Sequence, residues 1–366
     1  MKKLLIIIGV TVGLNTSIVA GPIFSFGVVA DCQYCNIKVP KTAQRQYALS
    51  PKKLTACVEH LNRLELRFVV HLGDFIDRDF NSFADVAPIY DKLKADHYHV
   101  LGNHDFSVAD EYKAKVPAAL GLKSRYYQFR YHGYRFIAMD GNDVSLHAYP
   151  ASDPRHKAAE AFHKKLPSGT PSWNGAVGQA QLDWLKKALN EAKRAGERVI
   201  LFCHFPVYPE NVHNLWNAAE VLAVVRESRS VVAYMNGHNH AGNYGRLAKR
   251  HFVTFTGMVD TEETAYAVVN VHADRLEIKG FGRQKNMTLP IAGNGGGNET
   301  VNSRIIIKTA DPDIALATDG KLGAAELQKS NDLRSWRKLG DVPKEAAEVL
   351  VTPRERGNEF YRLKKK

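Results

Sequence analysis

The chain has 366 residues, 45% of them hydrophobic and 24% charged, with a formal charge of +12 and a pI of about 9.4. That is enough apolar material for one large packed core with a small added module, and the basic balance suits anionic substrates or wall and membrane surfaces. No dense Lys/Arg tract with interleaved aromatics occurs, which argues against nucleic acid as the partner.

Met1 to Ala20 reads as an export signal. Lys2 and Lys3 give a positive start, Leu4 to Leu14 an apolar run too short to span a bilayer comfortably, and Ile18-Val19-Ala20 a small-residue cleavage site. The mature protein is therefore expected outside the cytoplasm, periplasmic or extracellular, with no integral membrane segment once the signal is removed. Four cysteines follow, Cys32, Cys35, Cys57 and Cys203. In an exported chain Cys32 could pair with Cys35 and stiffen the loop that carries them. A zinc knuckle would need a second close pair, which the sequence lacks.

Residues 26–30 predict a first strand, 50–65 a helix with Pro51 in its first turn, 68–71 a strand, 83–95 a helix and 98–101 a strand. This alternation indicates an α/β core. Residues 124–131 and 134–140 predict a hairpin around His132-Gly133. Residues 141–178 form a long polar insertion with one helical piece at 157–165, and a connection of that length is expected to overhang a functional site. An amphipathic helix follows at 179–195, with Leu182, Leu185 and Leu189 on one face. Then come a strand at 199–203, a helix at 218–227 and a strand at 231–235, and 252–256, 265–271 and 275–280 read as the strands of a closing meander. The pattern stops at Met287. The domains expected are 1–20 signal, 21–286 catalytic domain, 287–303 Gly/Asn-rich linker and 304–366 a small β module anchored by Trp336, Phe360 and Tyr361.

Five strand-to-loop junctions end in metal-ligand side chains: Asp31 and Gln33, Asp74 in Gly73-Asp74-Phe75-Ile76-Asp77, Asn103 in Gly102-Asn103-His104-Asp105, His204, and His238 and His240 in Gly237-His238-Asn239-His240. Each alone is unremarkable, since a single Gly-Asp is usually a turn and a single His after a strand is usually core. Five in this order point to one site for two metal ions. Mixed carboxylate, amide and imidazole ligands suit Mn²⁺, Fe²⁺ or Zn²⁺, and the absence of thiolates argues against a structural zinc cage. Asp74, in the tightest turn, is the expected bridge between the ions. Asn103 coordinates without adding charge that would repel phosphate. His104 is the expected proton donor to a leaving oxygen, with Asp105 orienting its ring and Asp77 bracing the turn after Asp74. His71, inside its strand, reads as structural.

These motifs resemble the calcineurin-like metallophosphoesterase superfamily, and Asp31-x-Gln33, where most members have His at the second position, resembles its manganese-dependent ADP-ribose/CDP-alcohol diphosphatases. Arg45-Gln46-Tyr47, the run from Trp173-Asn174-Gly175 to Trp184-Leu185, His204-Phe205-Pro206-Val207-Tyr208-Pro209 and Leu215-Trp216-Asn217 agree with that group. The resemblance implies a four-layer fold, two mixed sheets face to face with helices outside. It implies one ion on Asp31, Gln33, Asp74 and His240 and a second on Asp74, Asn103, His204 and His238, with manganese the expected metal and His104 catalytic. Asp105 stands where the group often has Glu, and Ala241 where it usually has Asp.

The expected activity is hydrolysis of the diphosphate linkage of a small anionic nucleotide derivative by metal-bound hydroxide. A phosphomonoesterase or broad phosphodiesterase on the same site is the alternative enzyme, and an exported nucleotide-binding protein the non-enzyme one. Arg45, Tyr47, Asn174, Tyr208 and Trp216, in loops near the junctions, are candidate substrate contacts, with aromatics to stack a base and Arg45 to meet a phosphate. The C-terminal module is a candidate for association with the cell surface.

Overall fold

In the computed structural model of the protein the described residues are 21–291, followed by five strands between 314 and 365. The export signal, the glycine-rich run from Gly293 and Trp336 lie outside them.

Strands β1 (Phe24–Val29), β2 (Phe68–His71) and β3 (Asp96–His99) alternate with helices α1 (Ser50–Leu61) and α2 (Ser82–Tyr90). Two short helical turns, α3 (Asp110–Lys113) and α4 (Val116–Ala119), lead to the hairpin β4 (Tyr127–Tyr131) and β5 (Tyr134–Ala138). The insertion that follows is bound by a small ribbon, β6 (Val144–Ser145) on β7 (Gly175–Ala176), around helix α5 (Pro154–His163). Helix α6 (Gln179–Arg194), β8 (Arg198–Phe202), α7 (Ala218–Glu227), β9 (Val231–Asn236), β10 (Asn243–Leu247), β11 (Arg250–Thr254), β12 (Ala265–Val271), β13 (Arg275–Gly282) and β14 (Met287–Pro290) complete the domain.

One sheet has the order β14-β13-β12-β1-β2-β3 and the other β10-β11-β9-β8-β5-β4, both mixed. β1, β2 and β3 run parallel, as do β5, β8, β9 and β11. The inner faces meet in an aromatic core in which Phe26 stacks on Phe68 at 4.8 Å and Phe136 packs edge-on to both. On the outer face of the first sheet, Leu54, Cys57, Val58 and Leu61 of α1 and Phe83 and Val86 of α2 bury against Val29 and Val69. α6 buries the predicted Leu182, Leu185 and Leu189 stripe. The result is the expected four-layer helix–sheet–sheet–helix sandwich.

Helices α1 and α2 end four to five residues earlier than expected, at Leu61 and Tyr90, and three strands differ in place or pairing. The strand at 252–256 is not part of the meander: β11 joins the second sheet parallel to β9, and only β12, β13 and β14 form the antiparallel run. Local alternation reports that a segment is a strand, not which of two sheets it enters. β3 lies two residues earlier than expected because the apolar Val100 and Leu101 belong to the buried start of the loop carrying Asn103. Residues 287–290, assigned to the linker, form the edge strand β14. Its four residues end in Pro290, which a sheet tolerates at an edge.

Beyond Gly293 the chain clusters as a second compact unit. In it β15 (Ile314–Ala317) pairs with β18 (Glu348–Val351), and β16 (Ala325–Ser330) pairs antiparallel with both β17 (Arg337–Val342) and β19 (Phe360–Lys365). Among the described residues no helix is long and apolar enough to cross a membrane.

Candidate metal centre

The ligand loops leave the C-terminal ends of β1, β2, β3, β8 and β9. Within each sheet these strands run parallel, so their loops open on one edge. To turn side chains straight back into the pocket, the backbone adopts left-handed conformations at residues that are not glycine: φ is 51° at Asp31, 47° at Gln33, 57° at Asp74 and 71° at His238. Each costs on the order of 1 kcal/mol and persists only where the surroundings over-determine it. Here they do. The Asp31 amide donates to Gly73 O (3.2 Å), the Gln33 amide to Asp74 O (2.7 Å), the Gly237 amide to His204 O (3.1 Å) and the Val259 amide to Asp31 O (2.9 Å). At Gly102 a Cβ would overlap the Asp74 amide and carboxylate, so no other residue fits.

Two groups of ligand atoms result, each within 4.8 Å: Asp31, Asp74 and His240, and Asp74, His204 and His238. Asp74 belongs to both. Asn103 Oδ1 joins the second group, 3.2 Å from His204 Nε2. Gln33 is fully buried, and both of its side-chain polar atoms lack a hydrogen-bond partner. Buried polar atoms are seldom left in this state. Six of the seven predicted ligands are therefore gathered at one edge of the sandwich, and Gln33 lies buried in the loop that carries Asp31.

The three rings are held from behind. His204 Nδ1–H donates to Leu72 O (2.8 Å), His238 Nε2–H to Asn174 Oδ1 (2.8 Å), and His240 Nδ1–H to Asp260 Oδ1 (2.8 Å). Each fixes the tautomer whose remaining nitrogen is bare. His204 Nε2 and His238 Nδ1 lie 3.1 Å apart, and His240 Nε2 is 3.5 Å from Asp31 Oδ1. Bare nitrogens and carboxylate oxygens converging in a buried space fit a cation between them. Burial would depress the His204 pKa, but Asp74 beside it, with Asp31 behind, raises it to about 9. Burial and the neighbouring His204 hold His238 well below the ordinary histidine value. Burial opposes ionisation of Asp74, yet His204 and His104 hold it well below the usual carboxylate range.

The partners of His104 differ from expectation. Its Nδ1 bonds Asp77 Oδ1 (2.9 Å), not Asp105, and its amide donates to Asp74 Oδ1 (2.8 Å). Burial would lower its pKa, but the charges of Asp74 and Asp77 and the bond to Asp77 raise it above the ordinary value. Asp105 instead accepts four backbone amides, from Phe75 (2.7 Å), Gly102 (2.9 Å), Asp74 (3.2 Å) and Ile76 (3.2 Å). It ties the Asp74 turn to the Asn103 loop. The two acids thus exchange the roles read from the sequence, because adjacency along the chain does not decide which way a side chain turns after a strand.

Among the candidate substrate contacts, Asn174 is buried against His238, with its Nδ2–H donating to Val212 O, so it orients the His238 ring. Through it the long insertion reaches the site. Trp216 Nε1–H donates to Pro171 O and the ring stacks on Phe162. Tyr208 packs on Phe252. Both rings are half-buried in their loops. Arg45 and Tyr47 stay at the site: the Arg45 charge is felt by His104 and His213, and Asp74 and Asp77 act on Arg45 in turn. Asp260 was missed. No spacing motif links it to His240, although it also accepts from Gln44 Nε2 (2.7 Å) and so pins the Arg45 loop. His213, whose ring lies 5.4 Å from His238, was missed too. His71 is a buried neutral imidazole whose Nε2 accepts the Cys32 amide at 3.4 Å. Cys32 and Cys35 are unpaired and pack in separate clusters, Cys32 with α1 and Cys35 with Tyr47 and Val259.

Comparison with known proteins places this arrangement. The sequence is 28% identical to the manganese-dependent ADP-ribose/CDP-alcohol diphosphatase of Xenopus tropicalis, over 73% of this chain and 94% of that protein. It is 28% identical to the human protein of the same name, over 71% and 91%. The fold superposes on a dimetal phosphatase from Danio rerio with a TM-score of 0.67 and 26% identity, covering 74% of this chain and all of that one. The family model for calcineurin-like phosphoesterases matches residues 24–242, which spans β1 through the His238 and His240 loop, and the chain belongs to that family.

Proposed function

We propose that the protein is an exported, metal-dependent diphosphatase that hydrolyses the diphosphate linkage of nucleoside-diphosphate derivatives of the ADP-ribose and CDP-alcohol class. The observation that carries this reading is one carboxylate, Asp74, shared by two buried carboxylate–histidine groups, in a chain 28% identical to proteins of that name. Asp31, Gln33, Asp74 and His240 would hold one divalent ion, and Asp74, Asn103, His204 and His238 the other, with manganese the metal named for the relatives. Bound there, such a pair supplies Lewis acidity toward phosphoryl oxygens and lowers the pKa of water.

The chain's own contribution is positioning and proton transfer. His104 is partly accessible, with 23% of its side chain exposed. Asp77 holds its Nδ1, which leaves Nε2 to give a proton to the departing oxygen, and the charges of Asp74 and Asp77 favour the protonated ring. Asn103 binds without adding negative charge where phosphate must approach. Arg45 supplies positive charge at the rim. Export is supported by Lys2, Lys3, the apolar run to Leu14 and Ile18-Val19-Ala20. The C-terminal β unit, which ends in Lys364-Lys365-Lys366, is assigned to contact with the cell surface on the strength of that basic end.

The reading is tested with the manganese-loaded full chain on ADP-ribose, CDP-choline and p-nitrophenyl phosphate. The two diphosphates are expected to be cleaved with kcat/KM at least about 100-fold above the monoester, a discrimination of about 2.7 kcal/mol. Cleavage of the monoester alone would replace the proposal with a phosphomonoesterase, and tight binding without turnover of any of the three with a binding protein.

A further inference from the structure

Arg78 is a charged residue at this edge that neither the ligand set nor His104 explains. It follows Asp77 in the turn after β2 and holds a φ of 65°, a conformation glycine adopts freely and arginine does not. Packing does not demand arginine there, since 60% of the side chain is exposed. Its guanidinium lies over the Tyr47 ring, 5.7 Å from the centroid, and its Nε is 3.6 Å from Asp77 Oδ2. The other oxygen of the same carboxylate bonds His104 Nδ1. Arg78 is therefore one carboxylate away from the proton donor. Tyr47 also neighbours Arg45, whose charge reaches His104 and His213. Two guanidiniums thus attend one aromatic ring beside the metal centre. The nearest buried acid on this side, Asp77, already shares its charge with His104.

A diphosphate presents two phosphoryl groups joined by one oxygen. If the ions hold the group that is attacked, the charge of its neighbour falls a few ångströms away and must be met by cations outside the ligand set. A planar guanidinium meets it with two parallel hydrogen bonds. We propose that Arg78, together with Arg45, forms a second phosphate subsite that holds the phosphoryl group not attacked, and so separates diphosphate substrates from monoesters. This rests on the diphosphatase reading above. The left-handed backbone at residue 78 is then strain kept for binding.

The test is calorimetric binding of α,β-methylene-ADP and of AMP to the manganese-loaded protein, with melting temperatures alongside, for wild type, Arg78→Gly and Arg78→Lys. Arg78→Gly is expected to weaken the diphosphate analogue about tenfold and AMP less than about twofold, the loss of one charge-assisted pair. Its melting temperature is expected not to fall, because glycine relieves the left-handed strain. Arg78→Lys is expected to recover part of the affinity. Equal weakening of both ligands together with a lower melting temperature would make Arg78 a brace for the turn and overturn the subsite. An undiminished preference for the diphosphate analogue in Arg78→Gly would overturn it as well. A wild type that binds the analogue no better than AMP and leaves ADP-ribose intact would instead remove the diphosphatase reading and the subsite with it.

Discussion

Asp74→Asn is expected to lower kcat/KM by about 10⁴-fold, near 5.5 kcal/mol of transition-state stabilisation, and to leave the protein unable to retain two manganese ions per chain. Asp74 is the one residue common to both groups of ligand atoms, and Asn keeps its size while removing the charge both ions would share. The amide cannot bridge as a carboxylate does. The fold should survive, since Asp74 Oδ1 accepts the His104 amide, which an Asn oxygen can also do, and the one polar neighbour of Oδ2, His204 Nε2 at 3.2 Å, keeps its bond from Nδ1 to Leu72 O. Elemental analysis after dialysis, steady-state kinetics and far-ultraviolet circular dichroism read the three parts separately. Full retention of two ions with unaltered kinetics would remove Asp74 from the centre.

Asp105→Ala and Asp77→Ala are expected to fail in opposite ways. Removing the Asp105 carboxylate strands the amides of Asp74, Phe75, Ile76 and Gly102 in the buried interior. At about 1 kcal/mol for each unmet donor, the loss is on the order of 4 kcal/mol. For a domain of this size that is about 10 °C in melting temperature. Asp77→Ala leaves those amides bonded and frees the His104 ring, so its cost should fall on turnover, about 100-fold in kcat. His104→Ala should cost about the same, and the double variant little more than either, because one residue acts through the other. Destabilisation by Asp77→Ala with kcat intact, or strictly additive losses in the double variant, would show that the two acids have been assigned the wrong way round.

What could be read from the sequence was what depends on local order. Ligand-type side chains directly after apolar runs placed Asp31, Asp74, Asn103, His204, His238 and His240 at strand ends, and parallel strands bring such ends to one edge. The helical stripe Leu182, Leu185 and Leu189 was legible because its period is set by the helix itself. What could not be read depends on contacts between distant segments. Asn174 and Asp260 hold His238 and His240 from 64 and 20 positions away, and no spacing rule announces either. Asp105 is next to His104 in sequence, yet it is Asp77, 27 positions away, that bonds the ring. β11 and β12 look alike as strands, yet the loop between them crosses from one sheet to the other and carries Asp260 with it.

The most direct test of the shared-carboxylate centre is anomalous diffraction at the manganese edge from crystals of the full chain grown with Mn²⁺. Two peaks about 3.5–4 Å apart on either side of Asp74, one beside Asp31 and His240 and the other beside His204 and His238, are the expected result. A single peak, or two that do not share Asp74, would contradict it.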